Sequence, residues 1–448
     1  MLPLTKDKTD RKLFLGLIIT LGVSMLMPEY IAPIFVFVLY IVFMRTFKKS
    51  GRNAKMGDLG KVFFVYTVYM LVSSIWSKAH LMSALVSLLW MGCLLTYILI
   101  ANTVNTEDKI KSAITAMNIS AGIIGLMAIL GIITYNLFMH CDWYKREWLF
   151  PNPFYWELND KVFDLLPIDI INYKFRSRAS ATFDNPLILA TYLVVATPFC
   201  AFGSVFFEKG KHRKISRICL LFALGGLVCT SSRGSFIAIG VAILIMILSS
   251  KKSLKKLAPF LIILAAAVPM ALFLRFKNTK STDFLESDSQ RFHIWQSCLD
   301  MFFKHPVFGL GAGTENIHQS LINDYNIQRT HAHNLFLEML VEGGIIGGIF
   351  VIAIIVITAK NIYKICTLKD RKYKNYGILY TACLVGFVIM SVFEFTLQSA
   401  KELMVFFMLL GFTEATYRMA TDTIQLAPDE IAEQYEVVPD EIKEKETV

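Results

Sequence analysis

About a dozen long apolar runs, parted by short loops crowded with lysine and arginine, restrict this chain more than any other feature. Inside a bilayer every backbone amide must find its partner within the segment, so runs of this kind fold as membrane-crossing helices. They fall at 13–27, 30–44, 62–76, 81–102, 113–138, 186–206, 218–230, 236–250, 257–274, 335 to about 360, 377–394 and 403–417. With 55% hydrophobic and 18% charged residues and a mean hydropathy of +0.53, the chain is too apolar for an ordinary soluble protein. The expected fold is an all-α, polytopic integral membrane protein with about 12 transmembrane helices over residues 1–419. Two long outer-face loops are expected at 139–178 and 276–334, and an acidic, disordered cytoplasmic tail at 420–448. No small-residue cleavage site follows Met27, so the first run reads as a retained anchor, with the next run turning at Pro28-Glu29.

The net charge of +10 has a local origin. Basic residues gather in the loops around 45–61, 209–217, 251–256 and 364–374, as cytoplasmic loops do, which argues for a lipid bilayer and against a nucleic-acid partner. Counting spans from those loops puts both termini inside, and Arg178, Arg233, Arg291 and His333 all outside. Aromatic residues fill the loop 139–178, which suits the headgroup layer. Of the eight cysteines, only Cys141 and Cys298 lie in the long loops. A disulfide and two separate thiols are both open there, and no metal-type spacing occurs.

The outer side carries the chemistry. His331-Ala-His333-Asn334 ends a polar loop where an apolar helix begins. Asn334 suits an N-cap, whose free amides favour an anion and a neutral imidazole at His333. The runs 218–230 and 236–250 form a hairpin around Ser231-Ser232-Arg233-Gly234-Ser235. Arms of about 15 residues reach roughly 22 Å, short of the roughly 30 Å hydrocarbon core, so Arg233 is expected below the outer surface. Three guanidiniums and an imidazole suggest a diphosphate site, since arginine forks match phosphate oxygens and keep their charge when desolvated. No Asp-x-Asp pair accompanies them; Glu286-Ser-Asp288 is the nearest approach, and neither a metal nor another cofactor is expected. Each residue also has a plainer reading: His331 orders the loop, Arg233 snorkels, Arg291 touches lipid headgroups beside Trp295 and Phe302-Phe303, and Arg178 is an ordinary basic flank. Glu394 and Glu402 either anchor the last outer turn or orient an arginine. Gly343 with Gly347, and Gly344 with Gly348, offer small-residue faces for close helix packing.

His333-Asn334, nine residues, then Gly344-Ile-Ile-Gly347 resembles the His-[Asn/Ser/Gln]-x9-Gly-x-x-[Gly/Thr/Tyr] pattern of the O-antigen ligase family. Ser-Ser-Arg233-Gly is similar to the hairpin arginine motif of the O-antigen ligase and polymerase superfamily. Arg291-x-x-x-Trp295, His305-Pro306 and Gly309-Leu-Gly311-Ala-Gly313 resemble the stretch that follows. Arg178 to Pro186 resembles its Arg-x-x-Gly-Thr-Phe-x-Asn-Pro, with Ala181 in place of the glycine. The motif-bearing region is therefore 178–348. The resemblance implies a GT-C-like, metal-independent, inverting glycosyltransferase of cell-surface polysaccharide (O-antigen or capsule) biosynthesis in the cytoplasmic membrane. It would move a glycan from undecaprenyl diphosphate to an acceptor hydroxyl on a lipid-linked or core saccharide. His333 would be the general base, Arg233, Arg291 and Arg178 would bind the diphosphate, and His331, Asn334, Gly344 and Gly347 would support them. A polymerase of repeat units, a protein-directed oligosaccharyltransferase and a flippase or transporter are the alternatives. The transporter is disfavoured by charges at the outer ends and by the lack of a visible internal repeat.

Overall fold

A computed structural model describes residues 8–27, 31–138, 178–249, 251–278 and 281–421, with the side chains of 281–289 and part of 263–278 outside that description. The expected turn at Pro28-Glu29, nearly all of the loop 139–178, Cys141, the Glu286 and Asp288 side chains and the tail beyond 421 lie outside the described residues. Every regular element among the described residues is helical. In chain order these are α1 (Lys8–Val23), α2 (Ile31–Lys49), α3 (Gly57–Ser73), α4 (His80–Thr103), α5 (Glu107–Phe138), α6 (Pro186–Phe206) and α7 (Lys211–Cys229). Then come α8 (Arg233–Leu248), α9 (Lys251–Asn278), α10 (Ser281–Lys304), α11 (Thr314–Tyr325), α12 (Leu335–Thr367), α13 (Arg371–Phe393) and α14 (Ala400–Ala420). A helix lies at each of the apolar runs, and seven of them, α2, α4, α5, α6, α12, α13 and α14, are long and apolar enough to cross a membrane. The chain is a polytopic, all-α integral membrane protein.

Helices α6 and α14 form the centre. The apolar window of α6 is wholly buried and that of α14 is 89% buried, so protein rather than lipid surrounds them. Burial in protein explains why α14 tolerates charge at both ends. At one end Arg418 pairs with Glu414 at 2.9 Å and donates to the carbonyls of Ala101 and Lys55. At the other, Lys401 donates to the Thr182 carbonyl and stands 4.5 Å over the Phe183 ring, while Ser399 and Glu402 close a capping box. Helices α5 and α7 touch backbone to backbone through glycines: a Cβ on Gly226 would fall 2.6 Å from the Gly125 Cα.

Two expectations are corrected. The stretch 276–334, read as a loop, carries the helices α10 and α11, joined by the irregular segment 305–313, which opens with a turn. The hairpin arms around Arg233 are unequal: α7 has 19 residues and α8 has 16, which at 1.5 Å per residue is about 28 and 24 Å.

Candidate active site

The helix α12 begins as its sequence dictates. Asn334 is extended, and its Oδ1 accepts from the amides of Phe336 and Leu337 at 2.9 and 3.1 Å. Its Nδ2 donates to the Val392 carbonyl, tying the start of α12 to the end of α13. One residue past that end stands Glu394, 2% exposed. His331 Nε2 lies 2.8 Å from Glu394 Oε1, and His333 Nδ1 lies 2.9 and 3.1 Å from its two oxygens. A carboxylate only accepts, so both imidazoles donate to it. Thr330 Oγ1, 2.8 Å from His331 Nδ1, then donates its hydroxyl proton there. These roles put a proton on His333 Nδ1, shared with Glu394, and leave Nε2 without a hydrogen bond among the described residues. Glu394 takes a role that neither reading of the sequence held: it orients two histidines rather than an arginine.

Burial works against ionising Glu394, but His333 beside it and the hydrogen bonds from both histidines outweigh that and hold the carboxyl well below its usual range. His331 is pressed below its usual 6.5, first by burial, against the pull of Glu394. His331 is therefore neutral, and the buried negative charge is shared among three N–H donors, the third being the Phe395 amide at 3.2 Å from Oε1. His333 itself has φ +50°, a left-handed conformation uncommon for histidine and concentrated at functional positions.

Three further contacts hold this corner. Trp295 of α10 donates its indole N–H to the Ala332 carbonyl at 2.9 Å, and the Ala332 amide donates to the buried Glu338 carboxylate at 2.6 Å. Gly344 bends α12 sharply, with φ +61° and ψ −152°. The segment 306–311 runs along that bend: Leu310 N to Val341 O at 2.8 Å, Gly311 N to Glu342 O at 3.0 Å, and Ile345 N to Pro306 O at 2.8 Å. A Cβ on Gly344 would fall 2.2 Å from the Val307 carbonyl oxygen, and one on Gly347 would fall 2.1 Å from that of Met339. These glycines thus admit backbone at a kink. The expected small-residue face of Gly343 and Gly347 does receive a helix as well: Cβ atoms there would fall 3.0 and 3.4 Å from the Tyr66 hydroxyl of α3.

The arginines gather around the same corner by different links. Arg178 Nε donates to the Thr230 carbonyl at 2.8 Å and Ala179 N to that of Cys229 at 3.0 Å, so Arg178 is fastened onto the α7–α8 turn. Arg233 opens α8, capped by Ser232, and a Cβ on the adjacent Gly234 would lie 2.9 Å from Phe393 Cβ, one residue from Glu394. Arg291 lies near enough to His331 for its charge to oppose protonation there, and it has no ion pair among the described residues. Cys298 is a buried free thiol in the apolar cluster under α10. A narrow apolar crevice, with a cavity volume of about 20 Å³ and lined by Leu335, Phe336, Phe350, Leu384 and Phe387 among others, opens beside the α12 N-terminus. His331, His333 and Glu394 also offer three atoms within 4.8 Å of one another, a set that can hold a transition metal.

Sequence reasoning missed Lys401 and Glu338 altogether. The signal was a charge inside an apolar run for Glu338 and one at the edge of a run for Lys401, each of which needs a partner.

The sequence profile of the O-antigen ligase family matches residues 218–352. The ComP-specific O-oligosaccharyltransferase of Acinetobacter baylyi is 27% identical over 253 residues, covering 53% of this chain and 44% of that protein. The alignment thus spans less than half the length of this relative. Over residues 218–352, which carry Arg233, Arg291, both histidines and both glycines, this chain is similar to the O-antigen ligase family.

Proposed function

We propose that this protein is a metal-independent, inverting glycosyltransferase that joins a glycan from undecaprenyl diphosphate to an acceptor sugar hydroxyl at the outer face of the cytoplasmic membrane. The observation that carries the reading is the Glu394 carboxylate holding His333 by Nδ1, which leaves Nε2 as a proton acceptor. In the reaction Nε2 takes the acceptor hydroxyl proton as that oxygen attacks the anomeric carbon. The bond from that carbon to the diphosphate oxygen breaks on the opposite face, and the configuration inverts. Glu394 stabilises the imidazolium that forms. Arg291, Arg233 and Arg178 hold the leaving diphosphate, where guanidiniums counter the charge that develops. His331, Asn334, Gly344 and Gly347 keep the base in place. In this reading residues 1–419 form a GT-C-like membrane domain of about 12 spans with both termini cytoplasmic; the helices at the apolar runs support its polytopic, all-α character.

Transfer in detergent from a fluorescent lipid-diphosphate glycan, with chelator present, tests this. His333→Ala should lower the rate by about 10² to 10⁴ while donor binding persists. Equal rates in the variant and the wild type overturn the proposal and favour a transporter. Loss of wild-type transfer on adding chelator favours a metal at His331, His333 and Glu394 instead. The name of the A. baylyi relative favours one second reading, a protein hydroxyl as acceptor. Offering lipid-linked, core-saccharide and protein acceptors side by side separates the cases.

A further inference from the structure

Helix α10 faces two different surroundings. Its inner side, Ile294, Cys298 and Met301 with Trp295 and Phe302, packs into an apolar cluster with residues of α11 and α12. Its outer side carries Phe292, Leu299 and Phe303, spaced by seven and four residues and so aligned in one stripe. Phe292 and Phe303 are 69% and 73% exposed, among the most exposed aromatic side chains described. A polar row, His293, Asp300 and Lys304, runs beside the stripe, with Lys304 paired to Asp300 at 2.8 Å.

The stripe continues past the helix. Val307 and Phe308 are exposed as well, and the Phe308 ring lies 5.7 Å from that of Trp76 at the end of α3. Pro306, next to them, accepts the amide of Ile345. Ile345 begins the exposed row Ile345, Ile349, Ile352 and Val356 of α12, one of the helices apolar enough to span. From Ile345 to Thr367 that helix runs straight for about 34 Å, enough to cross the hydrocarbon. An outward isoleucine row on such a span faces lipid. One unbroken apolar surface therefore passes from the lipid-facing side of α12, over the corner at Gly344, and along α10. Aromatic rings at the turn, Trp76, Phe308 and Phe303, are the residues that collect at a membrane boundary.

We infer that α10 lies in the plane of the membrane surface, with Phe292, Leu299 and Phe303 seated against the acyl chains and His293, Asp300 and Lys304 turned to water. The occupant is the lipid leaflet, because the stripe is continuous with a surface that already meets lipid. Helix α10 also bears Arg291 and, through Trp295, holds the loop of His331 and His333. Its seating fixes the height of both, at the level of phospholipid phosphates. Only this last consequence rests on the proposed transferase function: a lipid-linked diphosphate would reach Arg291 without leaving its leaflet.

The full chain in phospholipid nanodiscs, carrying the photoreactive amino acid benzoylphenylalanine at position 299 or 303 and, separately, at 300 or 304, tests the seating. Irradiation followed by mass spectrometry should give phospholipid adducts several-fold more abundant from 299 and 303 than from 300 and 304. Equal lipid labelling on the two sides, or adducts from 303 that join two copies of the chain or another protein, overturn the inference. The readout needs no glycan transfer, so it stands or fails separately from the enzymatic reading.

Discussion

Glutamine at position 394 changes the site with the least change of shape. The Glu394 carboxylate accepts from His331 at 2.8 Å and from His333 at 2.9 and 3.1 Å, with no water-exposed surface to soften a mismatch. A glutamine offers one acceptor oxygen and one NH2 donor in place of two acceptors. Facing two imidazole N–H groups, the amide sets a donor against a donor, so one histidine changes tautomer or turns away. If His333 does so, its proton moves to Nε2 and the base is capped. If the oxygen keeps both donors, the imidazolium formed in the reaction still lacks its charged partner. A hydrogen bond to a charged group contributes about 1.5–3 kcal/mol, and each 1.36 kcal/mol is tenfold in rate, so transfer should fall about 10- to 150-fold. Donor binding rests on the arginines and should hold within about twofold. Single-turnover transfer from a lipid-diphosphate glycan, measured with donor binding on the same preparations, reads both quantities. A Glu394→Gln variant with the wild-type rate, or one that loses donor binding as fully as rate, refutes the reasoning.

Arg291→Ala should weaken donor binding by about 10- to 150-fold, the value of one or two charge-assisted hydrogen bonds, with a smaller effect on the rate of bound donor; equal binding to the wild type would exclude Arg291 from the diphosphate site. Gly344→Ala should destabilise the protein by about 1–3 kcal/mol, because a side chain must adopt φ +61° and displace the Val307 carbonyl, and thermal unfolding in detergent against Gly348→Ala, which meets only the tip of Leu340, reads the difference. Stability should decline on acidification in two steps. His331 and Glu394 both titrate lower in the folded protein than their usual 6.5 and 4.5, so the unfolded chain binds more protons, and stability present above those values is lost as pH falls through them. Unfolding curves at stepped pH check this, and Glu394→Gln should flatten the lower step.

The spans were legible because hydropathy alone selects them, and the cap at Asn334 because its signal is local. His333, Arg233 and Arg291 were legible as candidates through charge at the outer ends of apolar runs. What orients His333 was not. Glu394 lies 61 residues away, and nothing in Phe-Glu-Phe distinguishes a turn anchor from a histidine partner. The glycine run 343–348 was legible in part. Its spacing fits a packing face, which Tyr66 of α3 meets at Gly343 and Gly347, but only the approach of residues 306–311 from elsewhere in the chain makes it a kink. Helices α10 and α11 were absorbed into a loop because their polar faces lower the hydropathy that marks a span.

The turn between α3 and α4 meets the start of α11 through Asn316, which accepts from Ser77 Oγ at 2.8 Å and donates to Ser83 Oγ at 3.1 Å. The Ser77 and Asn316 positions are 239 residues apart. At about 5–20 residues per second, roughly 10–50 s of synthesis separate the two. Until then Ser77 and Ser83 have each other, with hydroxyl oxygens 2.6 Å apart, but not the amide that joins them to α11. This corner is thus among the last parts of the protein to exist: a ribosome that stalls before Asn316 leaves inserted helices without that anchor, and one that stalls before Glu394 leaves His331 and His333 without their shared carboxylate.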